Sequence, residues 1–120
     1  MNKITLRTNL ITSKSKASIQ QIVDSVGGNE EYYSYLMDLY LYDDWRINQK
    51  AIWVITSHAS DYPQMVVPFI PQLISALEHP NASNAIKRNT TKIFSIIDIP
   101  KVWQGPVFDI CFNYLSDIEE

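Results

Sequence analysis

Two short patterns of basic residues have the spacing and the chemistry of an anion-binding surface. Arg46 is followed four residues later by Lys50, and Arg88 is followed at the same interval by Lys92. Residues four apart lie on one face of a helix. An arginine can hold a carboxylate or phosphate through two hydrogen bonds, and a lysine adds a point charge. Trp53 supplies the kind of aromatic side chain that anchors peptides at interfaces, so the patterns predict a site for an acidic ligand.

Residue patterns for catalysis or metal binding are missing from the sequence. The 120 residues contain no G-x-S-x-G, no P-loop and no H-E-x-x-H motif, and three glycines are too few for a phosphate-binding loop. His58 and His79 have no nucleophile arranged beside them in the sequence. The single cysteine, Cys111, cannot form an internal disulfide, and no zinc-site spacing occurs. We therefore predict a non-catalytic protein without a cofactor or metal.

The charge distribution narrows the class of partner. Four of the ten basic residues lie in the first sixteen positions, which contain no acid, so the rest of the chain carries six basic and thirteen acidic side chains. An acidic body argues against general nucleic-acid binding. No apolar run reaches the roughly 20 residues of a membrane span, and the N-terminus lacks a secretory signal. The sequence predicts a cytoplasmic protein, with residues 1–14 as a basic, flexible leader.

Helical periodicity dominates the remaining residues, 15–120, which we predict to form one all-α domain. Ser15 and Asn29 have the residue types that begin helices, and Gly27 has the type that ends them. Pro71 is expected to bend the helix that contains it, since proline in a helix interior removes a hydrogen bond. The predicted helices span about 15–26, 30–42, 44–59, 64–79, 83–98 and 106–117.

The two basic patterns belong to a longer repeat. An offset of 42 residues places Arg46 on Arg88 and Lys50 on Lys92. The same offset pairs the apolar residues that follow: Ile52 with Phe94, Val54 with Ile96, Ile55 with Ile97, and Leu73 with Leu115. Self-similarity near 40 residues over helix pairs is typical of an α-solenoid. We predict about six helices stacked as two to three antiparallel pairs.

The segment PQLISALEHPNASNAIKRN resembles a HEAT repeat, a pair of helices with a proline in the first and an early arginine in the second. Pro71 stands in the proline position, His79 where the turn usually has an acid, and Arg88 in the arginine position. YLMDLYLYDDWRINQKAIW is similar in a looser way, because Asp43 and Arg46 fit but the turn is shorter and the proline is missing. The resemblance covers about residues 29–117, and small bacterial HEAT-repeat proteins look similar.

The resemblance implies that the second helix of each pair lines a concave surface. The residues that would then form one polar, basic face are Arg46, Gln49, Lys50, Trp53, Lys87, Arg88, Thr91 and Lys92. Their alternative role is structural: the arginines would pair with Asp43, Asp44 or Glu78, and Trp53 would pack under a neighbouring cation.

A HEAT-like architecture also implies a scaffold or adaptor function with another protein, here an acidic segment, as the partner. A nucleic-acid-binding protein, related in architecture to the DNA alkylation-repair proteins, is the alternative. At the other end of the chain, Phe108, Cys111, Phe112 and Leu115 would lie on an uncovered side of the last helix. An uncovered apolar side predicts that the protein forms a homodimer or binds a partner through this helix. The alternatives are that the chain is part of a longer repeat array, or that the first and last helices cover the two ends of the core.

Overall fold

Seven α-helices and one 3₁₀-helix account for almost all of the chain that can be described. The computed structural model describes residues 2–79 and 83–119, with side chains as far as Asn113, and no strand occurs in them. The helices are α1 (Lys3–Thr12), α2 (Lys16–Val26), α3 (Glu30–Tyr42), α4 (Trp45–Ala59), the 3₁₀-helix (Pro63–Phe69), α5 (Ile70–Glu78), α6 (Asn84–Ile96) and α7 (Lys101–Glu119). The all-α class is confirmed for these residues, with seven α-helices where the sequence predicted six.

Short polar side chains begin most of the helices. Ser15, Asn29 and Ser83 each accept a hydrogen bond from the backbone N–H three residues further on, at the starts of α2, α3 and α6. Asp44 accepts two such bonds at the start of α4. Each cap satisfies a backbone donor that the first helical turn leaves free. Gly27 ends α2 with a φ angle of 45°, a left-handed conformation that favours glycine.

The helices share one apolar core, to which every α-helix contributes at least one buried residue. Contacts join α1 to α2, α3 to α4, and α5 to α6, and successive pairs meet where α4 contacts α2 and α6. Because α4 also contacts α1, it is packed against four other α-helices. The molecule is elongated, with extents of 39 × 28 × 21 Å.

The predicted flexible leader differs from the structure. Residues 3–12 form α1, and Leu6 and Leu10, one helical turn apart, are fully buried. The helix contacts α3 and α4, and each buried leucine contributes roughly 2 kcal/mol of hydrophobic stabilisation to this packing. The exposed isoleucines Ile4 and Ile11 lie on other faces, which weakens the helical periodicity in the sequence.

The predicted helix over 64–79 is divided in two. A 3₁₀-helix carries Pro63 and Pro68, and α5 begins at Ile70, so Pro71 lies in the first turn of α5 and not in a helix interior. The first turn has free N–H groups in any case, so a proline there costs no hydrogen bond. The expected bend at Pro71 is therefore wrong, since the helix starts at this point.

The last helix is longer than predicted. α7 begins at Lys101 and contains Gly105 and Pro106, which the sequence assigned to a connection before residue 106. Pro106 cannot donate the usual hydrogen bond to the carbonyl of Val102, but both residues are exposed, so solvent can satisfy that carbonyl. The predicted counterpart of Leu73, Leu115, lies outside the described side chains.

Two buried tyrosines of α3 differ in the pairing of their hydroxyls. Tyr40 Oη lies 2.8 Å from Thr90 Oγ1 and so joins α3 to α6. Tyr33 is 1% exposed and its ring contacts those of His58 and Phe69, but its hydroxyl has no partner among the described residues. Burial raises the pKa of Tyr40 to about 12 and raises the pKa of Tyr33 as well, so both hydroxyls are neutral at pH 7.

Replacing each tyrosine with phenylalanine tests this difference. Tyr40→Phe is expected to lower the free energy of unfolding by about 1–2 kcal/mol, because it leaves Thr90 without its partner. Tyr33→Phe is expected to be neutral or to raise the free energy of unfolding by about 1 kcal/mol, because it removes an unpaired buried hydroxyl. Urea unfolding measures both values. Equal losses in the two variants would show that the Tyr33 hydroxyl is paired in solution.

Candidate functional site

The polar face of α4 is the part of this helix that the neighbouring helices leave exposed. Its inward side is buried, and α1, α2, α3 and α6 all contact the helix. Arg46 and Gln49 are exposed, and Trp53 is 40% exposed. Lys50 is half-buried, and its ammonium donates a hydrogen bond to the carbonyl of Ser13, just beyond α1. Of the four predicted α4 residues, Lys50 therefore has a structural partner.

Arg46 does not make the ion pairs that the structural alternative requires. Asp43 and Asp44 are both engaged by Arg7 from α1: two hydrogen bonds of 2.9 and 3.0 Å reach Asp43, and a 3.6 Å ion pair reaches Asp44. The Arg46 guanidinium instead lies over the Trp45 ring, 5.6 Å from its centroid. No described carboxylate lies within ion-pair distance of Arg46 or Arg88. The alternative, in which these arginines pair with Asp43, Asp44 or Glu78, does not occur among the described residues.

The four predicted residues of α6 divide into two environments. Arg88 and Lys92, one turn apart, are exposed. Lys87 and Thr91 are half-buried, and the Thr91 hydroxyl donates a 2.9 Å hydrogen bond to the Lys87 carbonyl. Thr91 also lines an apolar groove between α6 and α7, which it shares with Cys111. Lys87 and Thr91 are therefore less accessible than Arg88 and Lys92.

An open groove of about 420 Å³ lies between α1 and α4, and we call it the α1–α4 groove. The residues that line it are Arg7, Ile11, Asp44, Trp45, Arg46, Ile47, Gln49 and Lys50. It contains three of the eight predicted site residues, Arg46, Gln49 and Lys50, and none from α6. Sequence reasoning missed Arg7, Ile11 and Trp45. The spacing of Leu6 and Leu10 was the available signal for α1, and the position of Trp45 directly after a capping aspartate was the signal for an exposed indole.

Arg7, which lines the groove, forms a charge pair with Asp43, which does not. The hydrogen bonds from Arg7 lower the pKa of the Asp43 carboxyl below its ordinary value, although partial burial opposes this. A lowered folded pKa means that the pair stabilises the fold above the ordinary carboxyl pKa. That contribution is lost as the pH falls through the lowered value. At pH 7 the charge of Arg7 is therefore largely compensated within the protein.

The last helix, α7, carries exposed aromatic residues. Phe108 and Phe112 of α7 are 70% and 61% exposed, and their rings are stacked with centroids 6.3 Å apart. Cys111 beside them is half-buried, and burial raises the pKa of its thiol. The fourth predicted residue, Leu115, lies outside the described side chains. A homodimer through this helix stays a prediction.

The described parts of residues 2–79 and 83–119 contain neither a metal-binding cluster nor a membrane-spanning helix. The His, Cys, Asp and Glu side chains in them form no group of three that could coordinate a metal ion. None of the helices in these ranges combines the length and the hydropathy that crossing a bilayer requires.

Comparison with known proteins connects the helical architecture to one family. No curated protein and no solved structure matches the sequence. The family described as the HEAT repeat domain matches residues 6–120, a range that includes α1 apart from its first three residues. HEAT-repeat domains generally act as scaffolds for protein interactions. Because the match covers almost the whole chain, the protein belongs to the HEAT repeat domain family.

Proposed function

We propose that the protein is a non-catalytic adaptor that binds an acidic segment of another protein on the exposed polar faces of α4 and α6. The observation that carries this proposal is the state of Arg46 and Arg88. Both are exposed, they stand 42 residues apart at matching positions of helices that contact each other, and neither is paired with a described carboxylate. Arg7, in contrast, is engaged by two aspartates. Unpaired arginines are free to make charge-assisted hydrogen bonds to a partner.

The arrangement of helix contacts supports the same proposal. In an α-solenoid, each helix pair stacks on the next and corresponding faces form one continuous surface. The contacts of α2 with α4 and of α4 with α6 agree with such stacking. Exposed Arg46 and Gln49, with Arg88 and Lys92 beside them, would then form one surface with Trp53 as its aromatic member. Because acidic side chains outnumber basic ones in the rest of the chain, the protein as a whole would not attract polyanions such as nucleic acids, and binding would depend on specific contacts at this surface.

A charge-reversal experiment tests this function. Wild-type protein and the Arg46→Glu/Arg88→Glu variant are used as baits in native cell extract, with and without nuclease. The matched control is Lys16→Glu/Lys101→Glu, which changes the net charge equally at exposed positions of α2 and α7, outside the polar faces of α4 and α6. We expect wild type and control to capture the same nuclease-resistant protein, and its recovery to fall at least about tenfold with the double arginine variant.

Two outcomes would contradict the proposal. Capture that disappears after nuclease treatment would identify nucleic acid as the ligand and favour the alternative function. Equal recovery with the arginine variant and the lysine control would show that neither Arg46 nor Arg88 contributes to binding. Circular dichroism of all three proteins establishes that each is equally helical before the comparison is made.

A further inference from the structure

We propose that the α1–α4 groove binds an extended peptide segment in which a large apolar residue stands next to an acidic one. The inference rests on the proposed function and narrows it. It names the residue types that are recognised in the partner, and it assigns recognition to one groove that includes α1. The α6 residues Arg88 and Lys92, which do not line the groove, would then contact other parts of the same partner.

The charges lining the groove limit the acidic part of the segment to one carboxylate. The Arg7 guanidinium is engaged by Asp43 and Asp44, and the Lys50 ammonium donates to the carbonyl of Ser13. Arg46 is the remaining cation among the lining residues, and it has no described carboxylate partner. A single unpaired guanidinium is complementary to one carboxylate, which it can hold by two hydrogen bonds.

The apolar part of the segment follows from two exposed side chains on the two helices. Ile11 on α1 is 51% exposed and Trp45 on α4 is 64% exposed, and both line the groove. A large aliphatic or aromatic side chain placed between them would remove apolar surface from water on both sides. Since the Arg46 guanidinium lies 5.6 Å from the Trp45 ring centroid, the acidic and apolar groups must be neighbours in the partner.

The size of the groove agrees with a short segment. Ligand sites for small molecules span about 300–1,000 Å³, and the α1–α4 groove, at about 420 Å³, is near the lower end of this range. This volume suits two neighbouring side chains better than a folded surface. The exposed amide of Gln49 is available to hydrogen-bond the backbone of such a segment.

The test uses the full chain, labelled with ¹⁵N, and three acetylated, amidated hexapeptides. Their centres are Leu-Glu, Leu-Gln and Ala-Glu, and Gly-Ser flanks are common to all. The Trp45 indole N–H signal reports on the groove, and that of Trp103 is the internal reference, whereas a shift of the Trp53 signal would report binding on the exposed face of α4 outside the groove. We expect saturable shifts at Trp45 with the Leu-Glu peptide, and affinities at least about fivefold weaker for the other two. Equal shifts with all three peptides, or no saturable shift, would overturn the proposal.

Single variants separate this inference from the broader function. In the titration with the Leu-Glu peptide, Arg46→Gln and Ile11→Ser are expected to weaken binding, whereas Arg88→Gln is expected to retain it. In the capture from extract, all three variants are expected to reduce recovery of the partner. All three residues are exposed, so the variants should fold. Loss of peptide binding with Arg88→Gln alone would overturn the groove but leave the exposed polar faces of α4 and α6 as the site. Retention by all three variants would overturn both proposals.

Discussion

Leu10→Ala is expected to lower the free energy of unfolding by about 2–5 kcal/mol, the usual cost of truncating a fully buried leucine. Leu10 is 0% exposed and belongs to the same core as the side chains of α3 and α4. The substitution removes the transfer free energy of the lost methyl groups and leaves a cavity that neighbouring helices fill only in part. Urea unfolding followed by circular dichroism measures the change.

The neighbouring residue provides the control for Leu10. Ile11 is in the same helix but 51% exposed, so Ile11→Ala should change the free energy of unfolding by no more than about 0.5 kcal/mol. The two substitutions alter the same segment and a similar amount of side chain. If residues 1–14 were a flexible leader, both variants would be as stable as wild type. That result would contradict the packing of α1.

Asn48→Asp is expected to lower the free energy of unfolding by about 2–4 kcal/mol. The Asn48 amide nitrogen lies 3.1, 2.7 and 3.0 Å from the carbonyl oxygens of Leu39, Tyr40 and Asp43, at the end of α3. It thereby satisfies carbonyls that the last helical turn leaves free and joins α3 to α4. A carboxylate cannot donate these hydrogen bonds, and its charge repels the carbonyl oxygens.

The same chemical change at the next residue isolates the role of these bonds. Gln49→Glu also replaces an amide with a carboxylate in the first half of α4, but its side chain is exposed. A negative charge near a helix N-terminus is mildly favourable, so Gln49→Glu should be neutral or slightly stabilising. Denaturant unfolding of both variants gives the comparison. Similar stabilities for the two variants would show that Asn48 makes no net contribution through its amide.

Local signals in the sequence predicted the middle of the fold well. The helices α2, α3 and α4 begin at capping residues, and their apolar residues recur with the period of a helix. The family resemblance, which the comparison confirms, used the repeated positions of Arg46 and Arg88. These features depend on residues close together in the chain, so they can be recognised from a single sequence.

Other features depended on contacts that a local pattern does not contain. The prediction of a leader followed from charge, whereas α1 is held by two buried leucines and by Arg7, which pairs with an aspartate 36 residues away. The exposed face of α4 could be predicted from helix geometry. The partner of Lys50 could not, because Ser13 approaches it only when α1 packs. The expectation for Pro71 was wrong for a similar reason. Whether this proline lies inside a helix or in its first turn depends on where α5 begins, which the local pattern does not show.

The docking of α1 against α4 creates one side of the α1–α4 groove. Peptide binding in the groove and the docking of α1 are therefore linked equilibria. A peptide that contacts both Ile11 and Trp45 binds only molecules in which α1 is docked. It therefore adds its own binding free energy to the docked state, and amide hydrogen exchange in α1 slows as the peptide concentration rises. Conversely, we expect a change that releases Arg7 from Asp43 to weaken peptide binding without altering a peptide contact, because it would lower the population of molecules in which α1 is docked.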